Sequence, residues 1–290
     1  MQYHTRHVAA LSAPAVVPTL LRRPHAVRAA AHAFLTGFPG EVAYPIKVNP
    51  SPWVLDELYA SGVRAFEVAS LPEVKQAATY PGVEILFMHP IKHPHDIAEA
   101  YRLGVRVFAI DSAEELAKIV QATNNADDLT LCVRVAVEAH HSQMPLTRKF
   151  GVTGTEAVAL LQATRQVAAK LGIHFHVGSQ TLRPEAFRLA LATTRRLVVR
   201  AGVVLDMLDV GGGFPAYYGA NTPIPSAWSQ FFKTIQKEID LFPMAENGRI
   251  VAEPGRALVA EAEGALVQVT ARRGTELHLN DGSYGLFFDS

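Results

Sequence analysis

Residues 42–68 read VAYPIKVNPSPWVLDELYASGVRAFEV, and they decide the fold. Val42 to Lys47 is a short apolar run of strand character, Pro52 to Ser61 repeats its apolar residues at helical spacing, and Ala65 to Val68 is a second strand. Gly62 stands where a helix C-cap belongs. The same alternation recurs downstream. Further strands are predicted at Glu84 to Met88, Val107 to Ile110, Leu131 to Val135, Ile173 to His176, Met207 to Val210 and Arg249 to Ala252. Helical periodicity marks Leu71 to Ala78, Ala113 to Gln121, Gly154 to Leu171 and Pro184 to Ala201. Asp111-Ser112-Ala113-Glu114-Glu115 has a capping residue and early acidic residues, and Gly172 and Gly202 follow helices as C-caps would. Eight strand and helix alternations point to an α/β protein, a (β/α)8 barrel, with a doubly wound open sheet as the alternative.

The polar residues favour the barrel. Lys47 ends the first strand, Arg134 lies late in the fifth, His176 ends the sixth, a glycine run follows the seventh, and Glu253 and Arg256 follow the eighth. Barrel strand ends converge on one mouth, and the loops after strands seven and eight are the usual phosphate position. An open sheet would spread these groups apart.

Composition narrows the function. A chain of 290 residues with 49% apolar content buries a large core, and its 27 basic residues equal its 27 acidic ones. That balance gives no field to draw nucleic acid or an anionic membrane, which leaves small ligands as partners. The single cysteine, Cys132, lies in an apolar run, excludes an intrachain disulfide and fits a cytoplasmic setting. No apolar stretch reaches the ~20 residues of a membrane helix, and the start at Met1 lacks signal-peptide character.

Each polar motif has a chemical use and a plainer one. A lysine ending a strand inside a domain can be partly desolvated, which lowers its pKa and frees the amine as a nucleophile, though a solvated surface charge is the other reading of Lys47. Gly211-Gly212-Gly213 lets backbone N–H groups approach a phosphate, and Arg256 in Glu253-Pro254-Gly255-Arg256 supplies a bidentate cation; a flexible loop and a surface turn are the alternatives. His176, in Phe175-His176-Val177-Gly178-Ser179, is either a core histidine or a ring contact, with Ser179 suited to a phosphate. Arg134 among apolar neighbours needs an anionic partner. His89, His93, His95, His140 and His141 are read as solvated loop residues and no metal site is assigned.

In order along the chain stand Tyr44-Pro45-Ile46-Lys47-Val48-Asn49, Phe66-Glu67-Val68-Ala69-Ser70, Pro145-Leu146-Thr147-Arg148-Lys149-Phe150-Gly151 and Phe175-His176-Val177-Gly178-Ser179-Gln180. Leu208-Asp209-Val210-Gly211-Gly212-Gly213-Phe214-Pro215, Glu253-Pro254-Gly255-Arg256 and Asn280-Asp281-Gly282-Ser283-Tyr284-Gly285 follow. Together these resemble the fold-type III pyridoxal phosphate decarboxylases, in particular the ornithine and lysine decarboxylases of the alanine-racemase-like fold. The resemblance implies pyridoxal 5'-phosphate as cofactor, Lys47 as the lysine that carries it, His176 stacked on its ring and Glu253 bonded to the pyridine nitrogen. It implies that Ser179, Gly212, Gly213 and Arg256 hold the phosphate and that Arg134 sits beneath the ring. Alanine racemases are similar in pattern but place arginine where Glu253 stands, which argues against a racemase.

The implied activity is decarboxylation of a basic amino acid, ornithine or lysine, to the diamine, with arginine or diaminopimelate as further substrates to weigh. Tyr-Pro-Ile-Lys-Val-Asn also looks like the corresponding run of biosynthetic arginine decarboxylases, and the family often has aspartate where Glu67 stands. The barrel is expected over residues 23–257, with residues 1–22 and 258–290 forming a partial, cut-short β domain that includes strands at Ala265 to Ala271 and Thr275 to Leu279. The family's interface cysteine and the aspartate that binds the distal amine are not assigned here: Cys132, on the fifth strand, does not match the first, and Asp289 lies too near Tyr284 to be aligned with the second. A non-catalytic pyridoxal phosphate carrier or regulatory pseudoenzyme is therefore the alternative function. A homodimer with Tyr284 at the interface is expected if the β domain is complete.

Overall fold

A computed structural model of the chain describes residues 16–139, 141–144, 149–219 and 223–287. His140, Pro145 to Arg148 and Asp289, all singled out above, lie outside the described residues. After strand β1 (Thr19–Arg22) the elements run α1 (Pro24–Gly37), β2 (Glu41–Pro45), α2 (Pro52–Ala60), β3 (Ala65–Val68), α3 (Leu71–Ala77), β4 (Glu84–Phe87), α4 (Pro94–Arg102), β5 (Val107–Ile110) and α5 (Ala113–Ala122). They continue with β6 (Thr130–Arg134), β7 (Ser142–Met144), α6 (Gly154–Val167), β8 (Lys170–His174), β9 (Ser179–Thr181), α7 (Glu185–Ala201), β10 (Leu205–Asp209), α8 (Trp228–Ile239) and β11 (Met244–Ala252). The one-turn helix α9 (Arg256–Val259) and strands β12 (Glu263–Leu266), β13 (Val269–Arg273) and β14 (Glu276–Leu279) complete the order.

Eight parallel strands close into a barrel in the order β10-β11-β2-β3-β4-β5-β6-β8, as the alternation predicts. Its interior is filled by Ala43, Ala65, Leu86, Val107, Cys132, Met207 and Val251, and a larger apolar layer packs the outer faces of the strands against the helices. The seam between β11 and β2 is short, with Val251 opposite Glu41 and Ala252 opposite Val42. Arg249 reinforces it, donating to Glu41 at 2.9 and 2.6 Å and to Glu84 at 2.8 and 2.5 Å. These groups are partly exposed, so the fork contributes about 1 kcal/mol or less per pair.

Three local expectations need correction. Gly172 is a residue of β8 and caps no helix; a Cβ there would lie 2.4 Å from Cys132 Sγ, so glycine makes room for the cysteine inside the barrel. The helix expected to run to Leu171 ends at Val167, because Lys170–His174 already form β8. His95 is not a loop residue: it lies in the first turn of α4, and the exposed His93 just before the helix is its N-cap, accepting from the His95 N–H at 3.2 Å. Ser112 and Gly202 cap as predicted, Ser112 accepting from Glu115 and Gly202 ending α7 at φ 66°.

Outside the barrel, β1 pairs antiparallel with β12, β13 with β14, and β7 with β9. All residues of β1, β13 and β14 are exposed. No helix among the described residues is long and apolar enough to cross a membrane.

Candidate active site at the mouth of the barrel

Pro45 has no N–H to donate, and β2 ends on it; Lys47 therefore lies in a single 3-10 turn, Ile46–Val48, just past the strand it was expected to end. The register sets Pro45 opposite Glu67 of β3, which carries the Glu67 carboxylate to the same rim. Lys47 Nζ donates to Glu67 Oε2 across 2.6 Å, with the Glu67 side chain 2% exposed. Burial raises the Glu67 carboxyl to about 7, even though Lys47 opposes the shift. The lowered lysine pKa expected from desolvation is not found. Desolvation does push Lys47 down, but Glu67 and then Glu253 outweigh it, and its pKa is raised.

The loops after β8, β10 and β11 complete the rim. β8 ends at His174, so His176 stands two residues beyond, its Nδ1 accepting the Gly178 N–H at 3.0 Å. Burial lowers its pKa to about 3, which keeps the ring neutral. Gly212 and Gly213 are close-packed backbone: a Cβ on Gly212 would lie 2.7 Å from the Glu253 carbonyl oxygen and 3.0 Å from His176 Nε2, and Gly213 has φ +105° with the Gly178 carbonyl 2.3 Å from a Cβ. Phe214 anchors this loop, its ring 4.8 Å from Phe187 and 5.2 Å from Phe34. Trp228 of α8 donates to the Pro215 carbonyl at 2.8 Å, and Gln180 clamps Ala216 through 2.5 and 3.0 Å bonds. Arg256 is held by Ser179 Oγ at 3.3 Å and the Tyr218 hydroxyl at 2.6 Å, and among the described residues no carboxylate pairs with it.

These groups enclose one cavity of about 300 Å³ lined by Lys47, His176, Ser179, Gly212, Gly213, Glu253 and Arg256, with Tyr218 beside them. All the sequence-predicted site residues except Arg134 line it. Arg134 is the last residue of β6, opposite His174 in the sheet, with its guanidinium 5.2 Å from the Phe150 ring centre. Glu253 is buried, and its Oε1 has no hydrogen-bond partner. Burial disfavours its charge, yet the Lys47 cation and the contacts with His174 and Asp209 prevail and hold its carboxyl below the usual carboxylate range. A larger hollow of about 460 Å³ lies against α7, lined in part by Leu189, Thr193 and Arg196, away from these groups.

The cavity thus offers an amine, a buried anion with a free oxygen, and a guanidinium beside backbone that a Cβ would fill. That donor set fits a cofactor with an aldehyde, a basic ring nitrogen and a phosphate. A family model described as "Pyridoxal-dependent decarboxylase, pyridoxal binding domain" matches residues 24–260. The chain belongs to this family. Among these pyridoxal-dependent decarboxylases, lysine/ornithine decarboxylase of Selenomonas ruminantium is 34% identical over 259 residues, covering 85% of this chain and 63% of that protein. Human antizyme inhibitor 2 is 31% identical over 270 residues, covering 84% of this chain and 57% of that one. The crystal structure of Vibrio vulnificus lysine/ornithine decarboxylase complexed with putrescine superposes with a TM-score of 0.82 at 30% identity, covering 99% of this chain and 78% of that one. The chain spans about six tenths of the length of the curated relatives it matches.

Glu67 as the partner of Lys47 was not identified from sequence, and neither were His174, Asp209 or Tyr218. The signal available for Glu67 was positional: an ionisable residue inside a four-residue apolar strand next to the lysine strand.

Proposed function

We propose that the protein is a pyridoxal 5'-phosphate-dependent decarboxylase that converts a basic amino acid, ornithine or lysine, to carbon dioxide and the corresponding diamine. The observation that carries this is the cavity itself, which Lys47 and Glu253, with its unpartnered Oε1, line together with Gly212, Gly213 and Arg256. When bound, the cofactor ring supplies an electron sink for the carbon that loses its carboxylate.

The chain's own residues do the rest. Lys47 would carry the cofactor, and Glu67, 2.6 Å from its amine, takes the proton that the amine must lose to act as a nucleophile. Glu253, ionised, would hold a proton at the pyridine nitrogen. Ser179, Gly212, Gly213 and Arg256 would bind the phosphate, Arg256 already set by Ser179 and Tyr218. His176, neutral, would hold the ring, and Arg134 would add positive charge at the end of β6.

We further read residues 23–257 as the cofactor barrel and residues 1–22 with 258–290 as part of a β region, a division supported by the pairing of β1 with β12. The exposed strands and the fully exposed Tyr284 suit a homodimer surface, and the balanced charge suits a cytoplasmic protein. A regulatory function without turnover has one specific support, the likeness to a protein named antizyme inhibitor 2. Incubating the chain with cofactor and ornithine, lysine, arginine or diaminopimelate, and measuring released carbon dioxide, tests the proposal. Release from ornithine or lysine supports it; release from one of the other two moves the substrate; binding without release from any supports the regulatory function.

A further inference from the structure

Behind Glu253, three buried side-chain atoms have no hydrogen-bond partner: His174 Nδ1, His174 Nε2 and Asp209 Oδ2. His174 ends β8, Asp209 ends β10 opposite it in the sheet, and Glu253 follows β11 directly. Each offers an atom within 4.8 Å of the others', in residues 1%, 0% and 5% exposed. Buried polar groups without partners are costly, so three around one carboxylate require an explanation.

The local backbone determines which oxygens are free. Gly211 turns at φ +66°, where a Cβ would lie 2.0 Å from the Phe175 carbonyl oxygen, and its N–H donates to Asp209 Oδ1 at 2.8 Å. The Glu253 N–H donates back to the Gly211 carbonyl at 2.9 Å. Asp209 Oδ1 is thereby used, and Oδ2 is left without a donor in a carboxyl that meets that of Glu253. Two carboxylates that meet in a site closed to water do not both ionise, and one proton between them supplies the missing donor.

The surroundings decide which carboxyl keeps it. Glu253 faces the Lys47 cation from the turn after β2, with the His174 ring beside it from β8 and the Asp209 carboxyl from β10. Burial and the neighbouring Glu253 carboxyl, with Glu67 adding a smaller effect, push the Asp209 carboxyl well up, and the Gly211 N–H opposes them. Burial, opposed by Glu253, keeps His174 neutral, with Nε2 3.4 Å from Glu253 Oε2 and no full hydrogen bond between them.

We propose that Asp209 and His174 are positioning residues for Glu253: Asp209 retains its proton and donates it to Glu253, and His174 stands against Oε2. Glu253 is thereby held as an oriented anion whose Oε1 is presented to the cofactor ring. This rests on the cofactor role proposed for Glu253. Asp209 and His174 touch neither cofactor nor substrate in this arrangement; they act through Glu253 alone.

Infrared spectroscopy of the whole chain at pH 7 tests the proton without cofactor. A protonated-carboxyl C=O stretch is expected that moves when aspartate carboxyls are labelled with 13C and disappears in Asp209→Asn. Cofactor titration followed by absorbance tests the positioning. Asp209→Asn keeps an N–H donor and is expected to bind within about threefold of wild type, whereas His174→Phe leaves Glu253 without one contact and is expected to bind about tenfold more weakly. In His174→Phe the pH at which the ring nitrogen of the bound cofactor loses its proton is also expected to fall, and His174→Asn to restore it.

A spectrum with no aspartic-acid band, or a His174→Phe protein that titrates as wild type does, overturns the proposal. A chain that shows the band but binds no cofactor removes the role proposed for Glu253 and leaves the Asp209 proton standing. A chain that binds cofactor and lacks the band does the reverse.

Discussion

Lys47 Nζ and Glu67 Oε2 stand 2.6 Å apart at the mouth of the barrel, the lysine half exposed to the cavity and the glutamate sealed beneath it. The short distance makes Glu67 the immediate destination of the lysine proton. Because burial raises its carboxyl to about 7, Glu67 accepts that proton readily only above this pH. Cofactor attachment in the wild type is therefore expected to accelerate as pH rises through about 7. Glu67→Gln is expected to lose that inflection and to attach cofactor about 10²-fold more slowly, as for removal of a general base. Stopped-flow absorbance over pH 5.5 to 8.5, roughly the window of such a titration, checks it. An unchanged inflection in Glu67→Gln would remove Glu67 from this role.

Acid stability follows from His176. Its folded pKa is depressed to about 3, against about 6.5 in an unfolded chain. The unfolded state binds the extra proton, so the stability His176 contributes is complete above about pH 6.5 and is lost as pH falls toward 3. Glu67 acts in the opposite sense: raised to about 7, it protonates first in the folded state and offsets part of the loss between pH 7 and about 4.5. Urea midpoints measured across this range are expected to fall less steeply in His176→Asn than in the wild type.

The two glycines of the cradle separate binding from folding. Gly213→Ala meets φ +105° and the Gly178 carbonyl at 2.3 Å, and it is expected to cost about 1–3 kcal/mol of stability together with cofactor affinity. Gly212→Ala has ordinary backbone but points its methyl at the Glu253 carbonyl and His176 Nε2, so affinity is expected to fall with a smaller change in Tm. Thermal melts alongside cofactor titrations distinguish the two.

Phe214 fixes the loop from the other side. It is 1% exposed and packs against the rings of Phe34, Phe187 and Phe231. Phe214→Ala is expected to cost about 3–5 kcal/mol in denaturant unfolding. Cofactor affinity is expected to fall as well, since Gly212 and Gly213 immediately precede the lost anchor.

The alternation of short apolar runs with helical periods predicted all eight barrel strands, because most of them bury both faces and read as short, mainly apolar segments; β11 starts at Met244, five residues before its expected start, where Glu246 and Asn247 are exposed. Lys47, His176, Ser179, Gly212, Gly213, Glu253 and Arg256 were likewise legible, since each lies just past a strand end and a barrel brings strand ends together. Pairings across strands were not. The Lys47–Glu67 contact depends on the register that sets Pro45 opposite Glu67, and the sign of the lysine shift depends on that contact. His174 and Asp209 were passed over because one buried polar residue in an apolar strand looks inert until its neighbours are known. Gly172 was misread because its reason, the Cys132 sulfur, lies on another strand.

The most direct measurement is to mix the chain with pyridoxal 5'-phosphate, reduce with borohydride and map the modified peptide by mass spectrometry. One pyridoxyl group on the peptide containing Lys47, absent from Lys47→Ala, is the expected result. Modification at another lysine, or undiminished modification of Lys47→Ala, would contradict the assignment of this cavity as the cofactor site.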